Sequence, residues 1–327
     1  MNGNDARLAD DLIRQYREGD EEAINRGFNR AFHLERTIAE WRAKFAAFEP
    51  GRRIMLGLDG GGNLVAHYAA LPARAIFHGE SRWFGQIVDV YCLRRTSLVR
   101  HGIFQQTVAR FFAELCGPER LALLFGFPSD RAMRLGVATL NYPPGTRVRQ
   151  WRAHPERLAR RRPPRTAWIG HGFDAHAIDR LWAGAASRYR AGLVRDAAAL
   201  RARYGSQRGI DYQHYGVFRL GEPRAWAVTR IEGERLRWAD LVWDGRDPAD
   251  LATLALEIAE AARRASCREV EAWLQGDRRA TEILADLGFA DRDHPEVYLA
   301  ALSFDPAIPQ ARIASELYLT LGDSDLV

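Results

Sequence analysis

Lysine is all but missing from this chain. Lys44 is the only one in 327 residues, so the basic side of a formal net charge of +5 is carried by arginine spread along both halves. Such dispersal follows from a biased composition and marks no binding face. The one concentrated stretch, Arg157–Arg165 (RLARRRPPR), lacks the aromatic-basic pattern of a nucleic-acid module, and with Pro163 and Pro164 it reads as a linker. Nucleic acid is therefore not an expected partner. Cysteine is scarce as well. Cys92, Cys116 and Cys267 are odd in number, far apart and set among apolar residues, so they read as small core residues and offer neither a disulfide frame nor a zinc site. No apolar run approaches the roughly 18 residues of a membrane-spanning helix. The first residues, Met1-Asn2-Gly3-Asn4-Asp5, are polar and acidic where a signal peptide is basic and then apolar, so a cytoplasmic protein is expected. Three signatures are also missing: a Walker loop, a GxGxxG turn and a GxSxG nucleophile elbow. His171 and His176 flank one acid, Asp174, and the loop reading prevails over a metal site there. No metal is expected.

What is present is a composition ordinary for a globular chain, 47% hydrophobic and 27% charged, long enough for two medium domains. In the first half, Leu12–Arg17 reads as a strand, and Ile24–Phe32 and Thr37–Phe48 as helices. Arg53–Leu58 and Leu64–Phe77 form a hairpin about the turn Asp59-Gly60-Gly61-Gly62-Asn63. Ile87–Cys92 is an apolar strand. After an Arg-rich turn, Phe104, Val108, Phe111, Phe112 and Leu115 recur at helical spacing on one face. Leu121–Phe127 is a strand, Ser129–Leu140 a helix, and Thr146–Arg152 a strand. Beyond the linker the order recurs: helices at Asp174–Tyr189 and Asp196–Tyr204, strands at Tyr212–Leu220, Ala225–Ile231 and Arg237–Trp243, a helix at Asp247–Arg264, a strand at Glu269–Leu274 and a helix at Asp277–Leu287 stopped by Gly288. The chain reads as an internal duplication. The most specific segment is Gly85–Leu115. A strand, a basic turn ending in Arg100-His101-Gly102 and a helix opening on a glycine make a phosphate cradle, because the first-turn N–H groups and the helix dipole both face the turn.

These residues resemble the GCN5-related N-acetyltransferase (GNAT) family, in both halves. The resemblance implies an α+β chain of tandem GNAT-like folds, each a central, mostly antiparallel sheet flanked by helices. It divides as 1–155, a CoA-binding domain; 156–172, a basic linker; and 173–327, a degenerate second domain. In that family the fourth strand splays from the fifth, and the cofactor's pantetheine arm lies in the gap. The turn Val99-Arg100-His101-Gly102-Ile103-Phe104 would hold the pyrophosphate of acetyl-CoA or another acyl-CoA. It matches the family pattern at the glycine only, with Val99 where Arg or Gln is usual and Phe104 where Gly or Ala is usual. The resemblance implies cofactor contacts at Val90, Tyr91, Cys92, Arg100, His101, Gly102, Ile103, Phe104, Phe127 and Ser129. The family's proton-donating tyrosine is replaced by Gly136, and in the second half Leu284 stands at the corresponding place. Asp244, Asp247 and Asp250 would repel a pyrophosphate there, so only the first half is expected to bind the cofactor.

The activity implied is acyl transfer to a small-molecule amine. Backbone N–H groups around Val90–Cys92 would polarise the thioester carbonyl, and Asp89, Tyr91, His101 and Tyr142 are candidate acids or bases. Asp323 or Asp325 would serve if the tail folded back. The ending Leu317–Val327 is similar to bacterial tandem members linked to surface-polysaccharide or amino-sugar chemistry. Tryptophans of the second half (Trp168, Trp182, Trp226, Trp238, Trp243, Trp273) are expected mostly in the core, with one or two free to line a sugar pocket. Two alternatives stand beside the transferase: a non-catalytic member of the same fold that binds a cofactor or partner, and an aminoacyl-tRNA-dependent transferase of the related tandem fold.

Overall fold

The computed structural model describes residues 12–46, 52–93, 102–158, 166–205 and 210–325. The chain divides into two compact units, each assembled from separate stretches: unit 1 from 1–74, 82–146 and 296–310, unit 2 from 75–81, 147–295 and 311–327.

Unit 1 follows the expected element order closely. Its strands are β1 (Ile13–Gln15), β2 (Arg53–Leu58), β3 (Leu64–Phe77), β4 (Glu80–Cys92) and β5 (Leu121–Gly126), and its helices α1 (Glu21–Phe32), α2 (Ile38–Ala46), α3 (Ile103–Leu115) and α4 (Asp130–Leu140). The sheet order is β1-β2-β3-β4-β5, followed by the last residues of β13 (Ala290–Ser303). The β4–β5 pair is parallel, whereas β1–β2, β2–β3 and β5–β13 are antiparallel. Side chains of the two faces feed two cores. Phe104, Val108 and Phe111 of α3 pack with Tyr68, Leu124 and Met133 on one side. Ile24, Trp41 and Phe45 of α1 and α2 pack with Ile54, Ala69 and Val88 on the other. β4 is longer than the apolar run suggested, because its first half, Glu80–Gly85, mixes charged and aromatic residues.

Unit 2 repeats the plan with β6 (Thr146–Ala153), β7 (Ala167–His171), α5 (Ala175–Ala185), β8 (Ala191–Leu193), α6 (Ala197–Tyr204), β9 (Gln213–Arg219), β10 (Glu222–Glu232), β11 (Arg235–Trp243), α7 (Pro248–Arg264), β12 (Glu269–Gln275) and α8 (Arg278–Leu287). The chain ends in α9 (Gln310–Glu316) and β14 (Leu317–Thr320). Again the fourth and fifth strands of the repeat, β11 and β12, are the parallel pair.

The domain boundary corrects the sequence reading. β6 was expected to close the first domain, yet it pairs with β12 inside unit 2, from Val270↔Ala153 to Trp273↔Gln150. In return, the end of β13 closes unit 1 against β5, from Ala300↔Gly126 to Ser303↔Leu123. The two repeats have exchanged their final strands. Part of the expected linker is strand β7, and residues 159–165 lie outside the described residues. β13 escaped the sequence reading because Asp291, Arg292, Asp293 and Pro295 break its apolar pattern.

Candidate functional site

The site begins where two parallel strands part. The β4–β5 ladder runs from Trp83↔Leu121 to Gln86↔Phe125 and stops. From Ile87 on, β4 has no β5 partner, and the pair opens into a V. Gly126 stands at the fork; a Cβ there would lie 3.0 Å from Cβ of Ile87, so glycine allows the strands to stay close up to the point of departure.

Inside the V, β4 carries a bulge. Asp89 has φ 52°, the left-handed region that Asp tolerates better than most residues. The bulge resets the alternation of the strand. Val88 packs in the α1–α2 core, whereas Ile87, Val90 and Cys92 pack against the α3–α4 core. Two cations hold the buried Asp89 carboxylate: Arg36 Nη1 at 2.6 Å, from the turn before α2, and Lys44 Nζ at 2.8 Å, from α2. Its carbonyl accepts from Nδ1 of His67 at 2.7 Å. Burial raises the Asp89 pKa, and the charges of Lys44 and Arg36 overcome it, leaving the carboxyl below its usual range. Asp89, expected among the candidate acids or bases, is thus held by structural partners. Tyr91, another of those candidates, is held as well. Its hydroxyl donates to the carbonyl of Ile24, tying α1 to β4, and burial pushes its pKa up. Its ring stacks on His67 with centroids 5.0 Å apart.

Tyr142 is placed differently. Gly136 occupies the helical position where the family carries a tyrosine, and the Tyr142 ring lies against it: a Cβ on Gly136 would meet Cδ2 of Tyr142 at 2.7 Å. The Tyr142 and Tyr68 hydroxyls share a hydrogen bond of 2.5 Å. Burial raises the Tyr142 pKa, while the bond from Tyr68 favours its ionised form.

After β4, α3 starts at Gly102 with no side-chain cap and no acidic residue in its first turn, which leaves its leading N–H groups to an anion. Val99, Arg100 and His101 lie outside the described residues. Ile103 and Phe104 turn their side chains into the core, so they face the turn through backbone alone. Phe127 follows β5, half-buried, edge-on to Phe125. Ser129 caps α4, its Oγ accepting from the Ala132 N–H at 3.4 Å, so it holds the helix rather than reaching out.

Unit 2 has the same V, filled. The β11–β12 ladder ends at Trp238↔Ala272, and β14 then pairs with β12 at Leu274↔Thr320 and Gln275↔Leu319. The Tyr318 hydroxyl donates to the carbonyl of Leu241, and Thr320 Oγ1 donates to Asp240. The helix beyond, α7, is capped by Asp247, and Arg219 binds Asp247 and Asp250 together. Asp323 is no base for unit 1: it is buried on Arg195, and its carboxylate accepts from the N–H of Thr320. Asp174 caps α5 through the N–H of Ala177. Of the tryptophans, Trp168 alone is exposed, stacked on Phe218, and the other five are buried.

Sequence reasoning missed Arg36, Lys44 and His67, although an internal repeat marks the first two. Leu34-Glu35-Arg36-Thr37-Ile38-Ala39-Glu40-Trp41-Arg42-Ala43-Lys44-Phe45 aligns with Leu193-Val194-Arg195-Asp196-Ala197-Ala198-Ala199-Leu200-Arg201-Ala202-Arg203-Tyr204. In unit 2 the register of β10 on β11 shifts about Ala239, and Arg195 Nε holds the Asp240 carboxylate at 2.7 Å. The bulged fourth strand with an Arg-held carboxylate is therefore built twice.

A bulged fourth strand that leaves its parallel neighbour, followed by a helix with no side-chain cap, is the arrangement the resemblance implied. Residues 12–136 match the family model for the acetyltransferase (GNAT) domain. A probable N-acyltransferase from Enterococcus faecalis V583 superposes with a TM-score of 0.67 at 14% identity, covering 89% of this chain and 72% of that one. A GCN5-related N-acetyltransferase from Kribbella flavida gives 0.64 at 17%, covering 93% and 73%. A tandem GNAT protein from the clavulanic acid biosynthesis pathway gives 0.51 at 13%, covering 91% and 99%. No curated protein matches the chain. The family match thus lies within the first part of the chain, and over the whole chain the likeness to these solved structures is one of fold. No described helix is long and apolar enough to cross a membrane.

Proposed function

We propose that the chain is an acyl-CoA-dependent N-acyltransferase working from unit 1, with acetyl-CoA as acyl donor and a small amine, such as an amino sugar or surface-polysaccharide precursor, as acceptor. The observation that carries this reading is the bulged departure of β4 from β5, followed in the chain by the uncapped start of α3. The pantetheine arm would lie along Val90–Cys92, with Phe127 and Ser129 at the opposite wall. The pyrophosphate would meet the N–H groups of Gly102, Ile103 and Phe104, with Arg100 and His101 in the preceding turn.

In this reading the amine attacks the thioester carbon, the C–S bond breaks, and the CoA thiolate takes a proton. Tyr142 is the donor. With Tyr68 donating to Tyr142, the Tyr142 O–H is left for another acceptor, and burial keeps it protonated, as a general acid must begin. Asp89 and Tyr91 are committed elsewhere, so the amine proton leaves to water. The rate should then rise with pH as the free-amine fraction of the acceptor rises.

Commitment of those same two side chains favours a second reading, a cofactor-binding member that transfers nothing. Titration calorimetry with CoA and acetyl-CoA, then thiol release across a panel of amino sugars, amino acids and polyamines, separates the two. Failure to bind either nucleotide overturns the transferase; tight binding with no thiol release on any amine supports the binder.

A further inference from the structure

Unit 1 differs from unit 2 at one point of the bulge. Across from the bulge in unit 2, Asp240 pairs with Val228, an apolar residue. In unit 1 the strand beside β4 presents His67, fully buried, whose Nδ1 contacts the Asp89 carbonyl oxygen at 2.7 Å. A carbonyl cannot donate, so Nδ1 must carry the proton. Burial pushes the His67 pKa down to about 4, and the ring stays neutral in that single tautomer. Its Nε2 is buried and makes no hydrogen bond among the described residues. Asp89, and not Asp240, is among the described residues with positive φ. The carboxylate clamp is therefore common to both repeats, while the histidine belongs to the open one.

The peptide plane gives this contact a consequence. In a trans peptide, the carbonyl of Asp89 and the N–H of Val90 point in opposite directions and turn together. His67 stands on β3, to one side of β4, and the V opens on the other. Drawing the Asp89 carbonyl toward β3 aims the Val90 N–H into the V. We propose that His67 is a positioning residue that locks the Asp89–Val90 peptide so that the Val90 N–H polarises the bound thioester carbonyl. The inference rests on the acyltransferase reading above. His67 touches neither the acyl donor nor the acceptor. It works through the backbone, by preorganising a donor that would otherwise rotate.

The test reads the carbonyl directly. Infrared difference spectra of bound acetyl-CoA, labelled with carbon-13 at the carbonyl, should show its stretch lowered on the wild type relative to free acetyl-CoA. His67→Phe keeps a ring to stack on Tyr91 and removes the donor; the stretch should return toward the free value and kcat should fall about 100-fold, the low end of the range for loss of an oxyanion donor. His67→Asn retains an N–H near the Nδ1 position, and most of the shift and of kcat should be restored. Affinity for CoA, which has no thioester, should stay within about two-fold in all three. His67→Leu replaces the Phe variant if the larger ring prevents folding. A folded donor-less variant with the wild-type carbonyl shift and kcat overturns the proposal while leaving the acyltransferase reading intact. A wild type that binds no CoA overturns that reading, and the proposal with it.

Discussion

Burial raises the pKa of Asp89, the charges of Lys44 and Arg36 lower it, and the charges win. Residues of this kind look catalytic in a sequence and act as joinery in the fold. In the proposed reaction Tyr142 is the proton donor, with Tyr68 as its hydrogen-bond partner. Tyr142→Phe should reduce thiol release about 100-fold, the low end of general acid catalysis, with CoA affinity unchanged by calorimetry. His67 and His214 make a second prediction. Burial lowers each to about 4 from the ordinary 6.5 of histidine. Between those values the unfolded chain binds protons that the folded one refuses. Stability is therefore complete above about pH 6.5 and falls as the pH drops toward 4. For the fully buried His67 the loss is about 3 kcal/mol. Thermal melts between pH 7 and 4.5 should show it, and His67→Asn should flatten the decline. A flat wild-type profile would count against neutral buried histidines.

At the scale of elements, most helices and strands were legible because their periodicities are clean. The strand Arg53–Leu58 begins and ends where its apolar run and the turn after it place it. Helix α3 starts at its glycine, as turn chemistry requires. The bulge was not legible, since one extra residue within a continuous apolar run leaves no mark on composition. Nor were Arg36 and His67, whose meaning lies in a contact across about 53 and 22 residues of chain, respectively. The repeat around Arg36 and Arg195 was open to view, yet only the structure shows that both arginines end on a bulge carboxylate. Helix α4 supports a sharper test. Gly136→Ala offers up to about 1 kcal/mol of helix propensity, but its Cβ needs the space of the Tyr142 ring. The melting temperature should fall, and thiol release with it, as the Tyr68–Tyr142 bond is pulled apart. A more stable, fully active variant would show that the ring has room to move.

At the scale of the whole molecule, duplication has produced one open V and one that is filled. β14 occupies the opening of unit 2, and aspartates cap the helix beyond it. Calorimetric titration should therefore end at one CoA per chain. An endpoint of two would mean that β14 yields its place to the ligand.

The exchanged final strands also bear on how the polypeptide matures. On a ribosome, the sheet of unit 1 lacks its closing strand until residues 296–303 have emerged, long after Leu121–Gly126. Until then β5 presents an unpaired apolar edge, the kind of surface on which nascent chains associate. These later residues are thus a licence for the unit begun before them, and the contacts they close are distant in sequence, which slows folding. A fragment of residues 1–155 should aggregate on expression, and adding residues 290–310 as a separate peptide should recover soluble protein. Refolding of the full chain should gain both units in a single late phase, rather than the first before the second.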